Sequence, residues 1–124
     1  MGILTIENLR EYGADVDEAL ARCMGNEAFY LKMVAMGIAD ERFGSLKKAL
    51  EEKDLDEAFE QAHALKGVVG NLALTPIAGP IGEMTALLRK REDADYLPIY
   101  ERMKETRDAL ARLGEDGERT DGRE

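Results

Sequence analysis

The chain has 124 residues, 44% of them apolar and 35% charged, with no Trp. That length makes one domain with a single modest core. Ala, Leu, Glu, Lys and Met outnumber the β-branched and aromatic types, which suits a helical bundle better than a sheet protein. The net charge of −9, from 17 basic and 26 acidic residues, repels phosphate backbones and argues against a nucleic-acid partner.

Cys23 is the only cysteine, so no intrachain disulfide forms, and a reducing cytoplasm is the expected compartment. No apolar run has the length that spans a bilayer, and the N-terminus lacks a signal-peptide core. Met1-Gly2 invites a myristoylation reading, but Ile6 stands where that motif requires Ser or Thr. No membrane partner is expected, and the initial Met is read as the start of a complete protein.

Six helical segments are predicted in chain order. The first is capped by Thr5 or a neighbour and runs through Tyr12 to Gly13. A second runs from Asp15 to Met24, stopped by Gly25. Asn26 is a good N-cap for a long helix reaching about Lys53, with Phe29, Met33, Met36, Ala39, Phe43, Leu46 and Leu50 as its buried stripe. Asp54 caps the next, which ends near Leu72. Thr75-Pro76 signals a further start, although Pro80 leaves open whether regular helix begins there instead; its stripe is Ile77, Ile81, Met84 and Leu88. Tyr96, Ile99, Tyr100, Met103, Leu110 and Leu113 mark the last helix. Short connections between amphipathic helices predict an all-α, antiparallel up-and-down four-helix bundle with short N-terminal helices, spanning residues 1–113. Gly114 to Glu124 hold five acids, two arginines and no large apolar residue, and are expected to be a disordered acidic tail.

The helix after Asp54 carries the only histidine. Its apolar residues Leu55, Ala58, Ala62, Leu65, Val69 and Leu72 step by three and four, which defines a narrow core stripe. At about 100° per residue, His63 falls off that stripe onto the outer side. Lys66, Gly67 and Gly70 follow at positions that share its face. Glycine costs roughly 0.5–1 kcal/mol relative to alanine inside a helix, so two on one face suggest selection for space. The plainer readings are an ordinary exposed histidine, a solvated lysine, and glycines packed against a neighbouring helix. Phe59, four residues before His63, reads as half-buried core whose edge could join an apolar contact patch.

His63-Ala64-Leu65-Lys66-Gly67 followed by Gly70-Asn71-Leu72-Ala73 resembles the signature of histidine-containing phosphotransfer (HPt) domains of bacterial phosphorelays. The Gly25-Asn26-Glu27 turn and the helix opening with Phe29-Tyr30-Leu31 share the family's upstream texture, so the resemblance covers about residues 5–113. It implies that His63 accepts a phosphoryl group from a receiver-domain aspartate and passes it to another receiver. The partners implied are response-regulator receivers and a hybrid histidine kinase, with this chain acting as a monomer. The acidic pocket and its Mg²⁺ would belong to the receivers, so no metal and no cofactor are expected here.

The individual residues agree with that implication. Imidazole, with a usual pKa of about 6.5, offers a neutral nucleophile near pH 7. Lys66, one turn away, can offset phosphate charge. Gly67 and Gly70 clear the approach. Many members carry a Gln or Glu on the next helix that hydrogen-bonds the other ring nitrogen, and the matching position here is Thr85. Glu83 is about 200° away on that helix and is a poor substitute. One His and one Cys make no transition-metal cluster, and no Gly-rich strand-to-helix loop exists for a nucleotide. The chain is therefore expected to be a phosphocarrier and not an enzyme that uses ATP. The rival readings are a helical adaptor that docks a receiver or kinase without transfer, and a histidine-bearing module resembling that of a chemotaxis kinase.

Overall fold

Polar side chains start four of the helices as their sequence positions predict. Thr5 accepts from the Asn8 amide while the Asn8 side chain accepts from the Thr5 amide, a reciprocal box. Asp15, Asn26 and Asp54 accept from the amides of Glu18, Phe29 and Glu57. Each such cap contributes about 1 kcal/mol. The computed structural model describes the backbone of residues 4–122 and the side chains of residues 4–113. In it the helices are α1 (Ile6–Tyr12), α2 (Val16–Arg22), α3 (Glu27–Ile38), α4 (Arg42–Glu51), α5 (Leu55–Asn71), α6 (Thr75–Arg89) and α7 (Leu97–Gly122). There is no strand among the described residues.

The long helix expected from Asn26 to about Lys53 is two helices. The chain leaves α3 at Ala39, and Asp40 then accepts from both the Arg42 amide at 2.9 Å and the Arg42 guanidinium at 3.1 Å. A short acidic side chain that bonds its own backbone in this way competes with helix continuation. The break shifts the helical phase, so a stripe drawn through both halves fits only the second. Phe43, Leu46 and Leu50 are buried as expected. In α3 the buried residues are Tyr30, Val34 and Gly37, while Phe29 is 49% and Met36 58% exposed and Ala39 faces solvent. Gly37 and Phe43, both inward, would lie about 240° apart on an unbroken helix.

Gly37 has a packing role that periodicity did not signal. A Cβ there would sit 2.7 Å from Leu72 Cδ1 and 3.4 Å from Val68 Cγ1, so its absence lets α3 approach the end of α5. Nearby, the buried Tyr30 hydroxyl donates to the Leu72 carbonyl at 2.9 Å. Helix α3 is thereby pinned to the helix that carries His63.

Around the core, α5 packs between α4 and α6, α6 packs on α7, and α7 closes the ring on α4. Consecutive helices joined by short turns make this the predicted up-and-down bundle. Helix α6 runs from Thr75 without interruption through Pro80, so the earlier of the two possible starts is the observed one. Pro80 lies close enough to the start that it forfeits only the bond to the Pro76 carbonyl. Ile77, Ile81, Met84 and Leu88 are buried, as predicted. The backbone of α7 is helical as far as Gly122, through most of the segment expected to be a disordered tail.

The short helices α1 and α2 close one end of the bundle. Tyr12 donates to the Thr106 carbonyl at 2.7 Å, and the Asp15 amide donates to the Ala73 carbonyl at 2.9 Å. The Arg22 guanidinium reaches the Gly70 and Asn71 carbonyls at 3.1 and 2.9 Å. A cation there satisfies orphan carbonyls at the C-terminus of α5 and complements its dipole. These bonds hold the N-terminal helices at the C-terminal end of α5 and on α7.

Candidate functional site

Helix α5 buries Ala58, Ala62, Leu65 and Val69 and turns His63, Lys66, Gly67 and Gly70 to solvent. The face drawn from spacing alone is the observed one. A Cβ on Gly67 or Gly70 would meet nothing within 4 Å, so neither glycine is a helix-packing contact. Among the described residues Lys66 makes no ion pair, which leaves its ammonium available one turn from the imidazole.

Phe59 is half-buried, and its ring stacks on His63 with centroids 5.5 Å apart and planes 21° from parallel. Two arginines that sequence reasoning missed join it. The guanidinium carbons of Arg89 and Arg91 lie 5.2 and 5.0 Å from the Phe59 centroid. They come from the end of α6 and the turn after it, and only the packing of α6 on α5 brings them here. Arg91, with φ of 53°, is fixed by the Asp56 carboxylate at 2.7 Å and the Leu88 carbonyl at 2.6 Å. Arg89 has no ion-pair partner among the described residues.

Thr85 is not positioned to orient the imidazole. It is 1% exposed, and its hydroxyl donates to the Ile81 carbonyl at 2.7 Å, within its own helix. No hydrogen bond reaches the His63 ring from any described residue. Burial beside Met84 and Leu88 makes Thr85 a core position whose polar atom is satisfied locally. Glu83 pairs with Arg102 of α7 at 3.0 Å, on the far side of α6, as its angular position predicts.

The result is an exposed imidazole with Lys66 one turn away on the same helix face and Phe59 stacked on it, Arg89 and Arg91 lying over the Phe59 ring, in a chain of net charge −9. Such a site can attack an electrophile delivered by another molecule and then hold an anion. Among the described residues no group of His, Cys, Asp and Glu could hold a metal ion, and no helix is long and apolar enough to cross a membrane.

A family model described as Hpt domain matches residues 37–116, a span holding α4, α5, α6 and the first part of α7 with His63 inside it. Residues 5–36, included in the resemblance read from the sequence, lie outside that match. No curated protein and no solved structure matches the chain.

Proposed function

Since the chain belongs to the Hpt domain family, whose members are phosphocarriers of phosphorelays, we propose that it is a phosphorelay intermediate acting through His63. The observation that carries this reading is the exposure of His63 beside Lys66, with open space over Gly67 and Gly70. In the proposed step, a ring nitrogen of neutral imidazole attacks the phosphorus of a receiver's aspartyl phosphate. An N–P bond forms, the P–O bond to the aspartate breaks, and the electron pair leaves with the carboxylate. The second nitrogen keeps its proton or releases it to water. Delivery to another receiver is the reverse.

Each neighbour has a role in that step. Lys66 offsets the charge of the phosphoryl oxygens. Gly67 and Gly70 admit the receiver, because they leave open space on the face that carries the imidazole. Receivers and a hybrid histidine kinase are the proposed partners, and a monomer in the cytoplasm is the proposed working form. Nucleic acid is not among them, because the −9 charge opposes it.

The test is incubation with a phosphorylated receiver. Label should move to this chain in an acid-labile, alkali-stable form, and His63→Gln should abolish it while the helical fold persists. Label that survives the substitution would sink the phosphocarrier reading. A wild-type chain that binds the receiver yet takes no label would be the adaptor.

A further inference from the structure

His63 is exposed and no described residue hydrogen-bonds its ring, yet the ring is not unsupported. Phe59, one turn earlier on α5, packs against the core on one side and stacks on the imidazole with its centroid 5.5 Å away. The phenyl group is held in turn by the guanidinium groups of Arg89 and Arg91, and Arg91 is anchored by Asp56 and the Leu88 carbonyl. Thr85, the position on α6 that the sequence resemblance offered for a ring-orienting side chain, is buried and bonded to Ile81.

We propose that Phe59 is the positioning residue for His63: it orients the imidazole by stacking, in place of a hydrogen-bonding side chain on α6. The proposal rests on His63 being the phosphoryl acceptor. An exposed histidine samples several rotamers about its two side-chain torsions, and only some aim a nitrogen at an incoming phosphorus. Aromatic stacking is strong enough to bias such a choice by up to about tenfold. It also leaves both ring nitrogens unengaged. One lone pair stays open for attack, and the other nitrogen can shed its proton to water after transfer. A ring held by a hydrogen bond would have its second nitrogen committed to that partner. Arg89 and Arg91 act through Phe59, keeping the phenyl plane where the imidazole needs it.

Two measurements on Phe59→Leu, Phe59→Met and Phe59→Tyr test this. The chain has one histidine, so ring NMR signals belong to His63 alone. Ring relaxation should show increased motion in the leucine and methionine variants and wild-type order in the tyrosine variant. Transfer from a phosphorylated receiver should slow by about tenfold in the first two, with receiver Kd nearly unchanged, while labelling by phosphoramidate keeps its wild-type rate. A small donor needs no preset ring orientation, so a general loss of fold or reactivity would be exposed by that arm. Unchanged ring order in Phe59→Leu and Phe59→Met overturns the proposal whatever the label does. Slower transfer explained wholly by weaker receiver binding also overturns it, and makes Phe59 a docking contact. A wild-type chain that phosphoramidate and receiver both fail to label on His63 refutes the underlying phosphocarrier reading instead.

Discussion

Gly67 and Lys66 sit side by side on the outer face of α5 and should respond to substitution in opposite ways. A side chain on Gly67 meets only open space, so Gly67→Gln gains helix propensity, about 0.5–1 kcal/mol, without a clash. Thermal stability should hold or rise while phosphotransfer slows, because the new side chain fills the approach to His63. Lys66→Ala removes charge and leaves the space clear. It should shorten the lifetime of the phosphorylated protein more than it weakens receiver affinity, which a dephosphorylation time course and a binding titration separate. A stable Gly67→Gln protein that transfers at the normal rate would place the docking surface elsewhere. At this scale the face of α5 was legible because three- and four-residue spacing alone sets which side chains share a side. The arginines on Phe59 were not, since they lie about thirty residues away and meet it only through packing.

At the scale of elements, the informative contact is that of α3 with α5. Gly37→Val would place a Cβ 2.7 Å from Leu72 Cδ1, and its branches would crowd Val68. Leu72 and Gly37 are both buried, so the crowding has little room to relax. We expect a loss of about 1–3 kcal/mol, read as a lower denaturant midpoint. A variant as stable as the wild type would mean that α3 can move off α5 at little cost. The same pair of helices explains why one expectation failed. A single helix from Asn26 to Lys53 satisfies propensity almost throughout, but Asp40 bonds Arg42 and ends α3. Periodicity counted through that break carried the phase of α4 back onto α3, and so exchanged Tyr30 and Val34 for Phe29 and Met36.

For the molecule as a whole, the buried tyrosines set an alkaline limit on stability. Burial pushes Tyr30 up to about 12, with the charges of Cys23 and Asp15 adding to it, and burial pushes Tyr12 up to about 12 as well. In the unfolded chain both titrate near 10. Below pH 10 neither state ionises and stability is unaffected. Between pH 10 and 12 the unfolded state loses protons first, so stability falls with rising pH, by about 2–3 kcal/mol from Tyr30 alone. Denaturant unfolding across that range should show the decline together with delayed tyrosinate absorbance. Tyr30→Phe should flatten the part of the slope that Tyr30 supplies, at the cost of leaving the Leu72 carbonyl unpaired. A stability that stays level from pH 10 to 12 would contradict the burial of these hydroxyls.

The sequence by itself determined the helical class, the capped starts at Thr5, Asp15, Asn26 and Asp54, and the exposed face of His63, Lys66, Gly67 and Gly70. These are local properties: a cap needs only the amide three residues on, and a face needs only the helical period. Tertiary structure decided what surrounds that face. It turned Thr85 inward, where its hydroxyl bonds Ile81, and brought Arg89 and Arg91 onto Phe59. It also used Gly37 to seat α3 against α5. Those outcomes depend on how far each helix is rotated against its neighbours, and that rotation is set by packing across the whole core, which no short stretch of residues encodes.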